Sequence, residues 1–142
     1  MNDMKIYETI LDFNSFYICY LSKMDKAFTG GEFSIPAMRC MVYINSHGKS
    51  TPKELSEHFG IDMAYLSRTI KKLTEDGYLI KQSNSADKRS HYYDLTKSGK
   101  HAVGEQKKRM SNHILSTVDH LSENKKEELC KCFLKIKKLL NK

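Results

Sequence analysis

A chain of 142 residues with 39% apolar and 29% charged side chains has the length of one domain and enough apolar residues for a core, which excludes wholesale disorder. No apolar run approaches the roughly 18 residues of a membrane span, and the start, Met1-Asn2-Asp3-Met4-Lys5, lacks the basic cluster and apolar stretch of a secretory signal, so a cytoplasmic protein without a membrane partner is expected. The net charge of +7 favours an anionic partner, nucleic acid first, but most of the surplus sits in 101–142 and does not locate a binding surface.

Residues 4–28 read as one long helix. Ile6, Ile10, Phe13, Tyr17, Tyr20, Met24 and Ala27 alternate steps of four and three, a seam suited to packing along a partner helix. Phe16 and Leu21 widen it, and Gly30-Gly31 ends it. Ser34 and Pro36 open a second helix, with Met38, Met41, Val42 and Ile44 inward and His47-Gly48 as its stop. Thr51-Pro52-Lys53-Glu54 is a strong helix start: the threonine hydroxyl can accept from the Glu54 amide, the glutamate can reach back, and proline fits the first position. Leu55 and Phe59 face inward, Gly60 stops this short helix, and Asp62 caps the next. That helix runs to about Asp76 on a buried stripe of Leu66, Ile70 and Leu73, ending at Gly77.

The period then changes. Tyr78–Gln82 reads as a strand, 83–90 as a polar turn and His91–Leu95 as a second strand, which makes a hairpin. Thr96 caps a long helix carrying Val103, Met110, Ile114 and Val118. Ser122 caps a last one with Leu129, Phe133, Ile136 and Leu140 inward. The expected fold is mainly α with a small β-hairpin wing, a winged helix-turn-helix flanked by long N- and C-terminal helices. The four cysteines, Cys19, Cys40, Cys130 and Cys132, all fall in helical segments. Without a secreted context they read as reduced, mostly buried thiols.

The second of the paired short helices presents Ala64, Tyr65, Arg68, Lys71 and Lys72 opposite its apolar stripe. Tyr65, Arg68 and Lys72 step by three and four and share one side. Arginine can fork onto guanine, and lysines suit phosphates. The helix starts at Thr51 and Asp62 can offer free amides to a nucleic-acid backbone. In the hairpin turn, Asp87 lies two residues before Arg89 and can brace its guanidinium, a side chain suited to a narrow minor groove. A solvated basic face with a local ion pair is the plainer account of the same residues.

Leu55-Ser56 through Gly60-Ile61, Tyr65-Leu66-Ser67-Arg68, Leu73 to Gly77-Tyr78-Leu79-Ile80, Asp87-Lys88-Arg89-Ser90 and Leu95-Thr96-Lys97-Ser98-Gly99 together resemble the MarR family, the multiple antibiotic resistance regulators, over about residues 51–99. The resemblance implies a homodimeric bacterial DNA-binding regulator, usually a repressor, that contacts double-stranded DNA. It places Met63, Ala64, Tyr65, Ser67, Arg68 and Lys72 on the recognition helix and Asp87 and Arg89 on the wing. Thr51, Lys53, Lys71, Lys88 and Ser90 complete the expected DNA-binding set. One domain then spans 1–142, with 34–99 as the winged module and 1–30 and 100–142 as a helical dimerisation region. Two copies set two recognition helices about one DNA turn apart on a near-palindromic operator.

Members of the family often answer small anionic or phenolic effectors. Phe16, Tyr20, Met38, Arg39 and Met41 are placed to line such a pocket, with Arg39 as the anion's partner; aromatic and methionine residues at helical spacing also make ordinary core. A thiol-based redox sensor is an alternative through Cys19, although the family's sensing cysteine aligns nearer Ser15 and no basic residue lies close to Cys19 in sequence to activate its thiol, Lys23 being four residues on. A protein-interaction module that has lost DNA binding is another alternative, to which the retained Arg68, Lys72 and Arg89 are opposed. The chain has no glycine-rich phosphate loop, no Gly-x-Ser-x-Gly, no His-x3-His and no Cys-x2-Cys. Neither an enzyme nor a metal or cofactor site is therefore expected.

Overall fold

The computed structural model describes residues 1–83, 86 and 90–142. In chain order the elements are α1 (Asp3–Ser22), α2 (Asp25–Thr29), α3 (Ile35–His47), α4 (Pro52–Phe59), α5 (Met63–Glu75), β1 (Leu79–Ser83), β2 (His91–Leu95), α6 (Lys97–Val118) and α7 (Glu123–Leu140). The expected winged helix-turn-helix is present as α3, α4, α5 and the β1–β2 hairpin. Internal contacts divide the chain into residues 1–110 and 111–142.

The expected single helix over 4–28 is corrected. Lys23 and Met24 form a turn that separates α1 from α2. The Ser22 hydroxyl donates to the Cys19 carbonyl at 2.7 Å, and the Met24 amide donates to Leu21 at 2.9 Å in place of the residue one step earlier. Both tighten the last turn of α1 and end it without glycine or proline. The end of α2 is held from far along the chain: Arg109 Nε on α6 donates to the Ala27 carbonyl at 2.8 Å, and its guanidinium lies against Gly30.

The side-chain caps form as the sequence suggests. Ser34 accepts from the Ala37 amide at 3.2 Å, Thr51 from Glu54 at 3.1 Å and Asp62 from Tyr65 at 3.1 Å. Between α4 and α5 the chain turns at Gly60, whose φ of 64° is a left-handed conformation that L side chains resist. The Ser56 hydroxyl closes that turn on the Ile61 carbonyl at 2.6 Å.

The hairpin is antiparallel, with Leu79 opposite Leu95 and Ser83 opposite His91. Leu79 and Leu95 are buried, so the foot of the hairpin is anchored in the core. A second contact fixes β2: Ser50 and Tyr93 exchange both backbone hydrogen bonds, at 3.0 and 2.9 Å. Thr96 accepts from the Gly99 amide at 3.1 Å and donates to the Gly77 carbonyl at 2.6 Å. One hydroxyl thus caps α6 and ties it to the end of α5's loop. At Gly99 the backbones approach so closely that an added Cβ would meet the Tyr78 carbonyl oxygen.

The core of residues 1–110 is one cluster. Met38, Met41 and Ile44 come from α3, Leu55 from α4, Leu66, Ile70 and Leu73 from α5, Leu79 and Leu95 from the hairpin, and Val103 from α6. Burial of each such side chain contributes about 1.5–3 kcal/mol. By contrast α1 buries none of its residues. In 111–142, α7 is capped by Ser122, which accepts from Lys125 at 3.3 Å, and also buries none.

The expectation of mostly buried thiols is also corrected: Cys40 is buried, but Cys19, Cys130 and Cys132 are exposed because the helices that carry them bury nothing in the single chain. Among the described residues no helix is long and apolar enough to cross a membrane.

Candidate nucleic-acid interface

The rotation of α5 about its axis is fixed by the burial of Leu66, Ile70 and Leu73. Everything on the other side must face outward. Met63, Ala64, Tyr65, Ser67, Arg68, Lys71 and Lys72 are all exposed, and they form one surface because steps of three and four bring them into register. The Arg68 guanidinium lies over the Tyr65 ring, 5.8 Å from its centroid. That contact is worth about 0.5–1 kcal/mol at an exposed site and restrains a long side chain. The Asp62 carboxylate satisfies one amide at the start of α5, and the first turn of any helix has further amides to give.

The start of α4 lies in the same module. Thr51 is half-buried and committed to its cap, while Lys53 is exposed. Just before them Lys49 sits over the Tyr92 ring at 4.9 Å from the centroid. The sequence reading missed Lys49, because the ring that supports it is 43 positions away and only the β2–Ser50 bridge brings the two together. The one signal was a lysine flanking a strong helix start. Ser90 is half-buried ahead of β2. Asp87, Lys88 and Arg89 lie outside the described residues.

A cleft of about 400 Å³ borders the exposed face of α5, between Tyr65, Arg68, Thr69 and Lys72 on one side and Phe33, Ser34 and Ala37 on the other. A second, of about 580 Å³, runs along α6 past Lys97, His101, Glu105 and Arg109. Phe33 and Tyr78 border both clefts and pack edge to face at 4.9 Å between centroids. None of Phe16, Tyr20, Met38, Arg39 and Met41 lines either cleft. Those five side chains do not share an environment: Met38 and Met41 are 0% exposed in the core, Phe16 is 62% exposed, Arg39 is exposed and Tyr20 half-buried. Cys19 lies exposed on α1. Burial pushes the Cys40 thiol up to about 11, which keeps it protonated and unreactive at neutral pH.

A model described as the MarR family matches residues 33–91. Over 77 residues the chain is 34% identical to the HTH-type transcriptional regulator BilQ of Clostridioides difficile (strain CD3), a match that takes in 52% of this chain and 52% of that protein. The aligned stretch therefore spans about half the length of that curated relative. Among solved structures, a MarR family protein from Bacillus stearothermophilus superposes with a TM-score of 0.84 over 100% of this chain and 99% of its own, at 13% identity. FabT of Streptococcus pneumoniae, solved in complex with DNA, superposes with a TM-score of 0.74 at 20% identity, covering 94% of this chain and 96% of its own. At these identities the structural likenesses show the fold.

Proposed function

We propose that this chain, which is similar to the MarR family over its winged helix, is a DNA-binding transcriptional regulator that reads double-stranded DNA with the exposed face of α5. The observation that carries this is the sidedness of α5. Three apolar residues lock the helix into the core, and Arg68, Lys71 and Lys72 then stand together on its outer surface with Tyr65 under the arginine. FabT, of similar fold, was solved bound to DNA. In this reading Lys49, Lys53, Lys71 and Lys72 meet phosphates and supply most of the affinity. Met63, Ala64, Tyr65, Ser67 and Arg68 face base edges. Asp87, Lys88, Arg89 and Ser90 enter on the strength of the sequence motif, as a wing at the minor groove.

The proposal extends to a homodimeric repressor on a near-palindromic operator, released by a small anionic or phenolic effector. For the dimer, α1 exposes Ile6, Ile10, Phe13 and Phe16, and α7 exposes Ile136 and Leu140. Apolar rows of that extent call for a partner surface, and a second copy supplies one with twofold symmetry.

Fluorescence anisotropy of the protein against its own upstream DNA and a shuffled duplex, at two salt concentrations, tests the reading. Tight binding to the upstream duplex alone is expected. Arg68→Ala should cost about 1–3 kcal/mol and relax selectivity at one position, whereas Lys72→Ala should weaken both duplexes and lower the salt slope by about one. Arg89→Ala should weaken binding if the wing engages the groove. Equal, salt-sensitive binding to both duplexes by wild type and variants alike would reduce the face to a non-specific basic surface. No binding to either would favour a protein-interaction module.

A further inference from the structure

The cleft along α6 is lined by opposite charges that do not meet each other. Lys97, His101, Glu105 and Arg109 follow at steps of four, so one side of α6 carries them all. All four border the 580 Å³ cleft, together with Glu32, Phe33 and Tyr78. A glutamate four residues ahead of an arginine is a favourable order for an ion pair on a helix, yet Glu105 and Arg109 form none. Arg109 is drawn elsewhere. Its Nε donates to the Ala27 carbonyl at 2.8 Å, and its Cζ, Nη1 and Nη2 all lie within 3.1 Å of where a Cβ on Gly30 would stand. Only a glycine leaves room for the guanidinium there. Glu105 pairs instead with Lys108 at 3.3 Å, in a contact 45% exposed on the glutamate and 75% on the lysine; such exposed pairs hold weakly. Glu32 is exposed, and among the described residues neither it nor Lys97 nor Arg109 has an ion-pair partner.

Sign and shape together select a ligand. Arg109 commits one of its five N–H groups to Ala27, which leaves both terminal nitrogens for the paired oxygens of a carboxylate. A simple anion would meet Arg109 and Lys97 but also two glutamates, and a simple cation would meet the reverse. A molecule that carries an ammonium beside a carboxylate satisfies both signs at once. Phe33 and Tyr78, packed edge to face at 4.9 Å between centroids, give the cleft an aromatic side against which a flat apolar group can pack. The volume falls in the range of about 300–1,000 Å³ usual for small-molecule sites.

We infer that the α6 cleft binds a small aromatic zwitterion, an α-amino acid in its chemistry, with the carboxylate on Arg109, the ammonium between Glu105 and Glu32, and the ring against Phe33 and Tyr78. Such a ligand loads the arginine that ties α2 to α6. It also loads the ring pair that borders the cleft beside Tyr65 and Arg68. Its role as an effector rests on the DNA-binding reading above, whereas the binding itself does not.

Calorimetry and NMR with L-phenylalanine, L-tyrosine and L-tryptophan, in the absence of DNA, test the site. At least one should bind saturably, one molecule per chain, with nuclear Overhauser contacts from its ring to Phe33 and Tyr78. The analogue lacking the ammonium and the analogue lacking the carboxylate (3-phenylpropionate and phenethylamine in the case of phenylalanine) should each bind about tenfold more weakly or worse. Glu105→Gln should weaken the amino acid and spare the analogue without the ammonium, while Arg109→Lys should weaken both. No saturable binding by any of the three amino acids, equal binding of the analogue without the ammonium, or contacts away from Phe33 and Tyr78 would overturn the inference. Should Arg109→Lys disturb α2, the analogue series on the wild-type protein and Glu105→Gln decide the matter. With no DNA present, the outcome stands apart from the DNA-binding reading.

Discussion

Two single residues carry constraints that the sequence states only in part. Gly99 belongs to the Leu-Thr-x-x-Gly run that the sequence displays, but its reason is tertiary: the Tyr78 carbonyl occupies the space of a side chain. Gly99→Ala should therefore force the start of α6 away from the end of α5 and destabilise the protein by about 1–3 kcal/mol, read as a lower urea midpoint. Cys40 is the other. The sequence places it on a helix among apolar residues, and burial raises its thiol from 9.0 to about 11. Between those values the unfolded chain loses its thiol proton while the folded chain keeps it, so stability contributed by this group falls as pH rises from about 9 to 11. Chemical denaturation across that range should show a steeper decline for wild type than for Cys40→Ala. Iodoacetamide at pH 8 should leave Cys40 unmodified until the protein unfolds. The exposure of Cys19, Cys130 and Cys132 was not legible, because nothing in their local sequence says whether the helix around them is covered.

At the scale of elements, caps and stops were the most readable features. Ser34, Thr51, Asp62, Thr96 and Ser122 each accept a backbone amide three residues on, since a short polar side chain before an apolar period has one favourable use. Asp62→Ala should cost about 1 kcal/mol and fray the first turn of α5, seen as faster exchange of the Tyr65 amide. Under the proposed DNA-reading role, it should weaken operator binding beyond that loss of stability, because Met63, Ala64 and Tyr65 occupy the frayed turn. The α1–α2 break was not readable in the same way. The apolar spacing through Met24 and Ala27 continues unbroken; what ends the helix is a serine back-bond at Ser22, and what holds α2 beyond it is an arginine 82 residues away. Likewise α5 showed its basic face in sequence, whereas the support of Lys49 by Tyr92 depends on strand register.

For the whole molecule, the buried core belongs to the winged helix and α6, and the terminal helices α1 and α7 add no buried residue to it. The period of the apolar residues predicts long seams on α1 and α7, and Ile6, Ile10, Phe13, Ile136 and Leu140 of those seams are exposed. If a second copy covers them, sedimentation equilibrium should find a dimer at micromolar concentration. Ile136→Glu with Leu140→Glu should then weaken association more than tenfold, given about 1.5–3 kcal/mol per buried side chain. A monomeric wild-type protein would remove the twofold geometry from the proposal. The exchange of backbone hydrogen bonds between Ser50 and Tyr93 has a mechanical meaning at this scale. Ser50 adjoins Thr51, the cap of α4, so the hairpin is bolted to the first turn of that helix as well as to its neighbouring strand. A sideways load on β2 is therefore passed to the start of α4 through two backbone hydrogen bonds as well as through the chain.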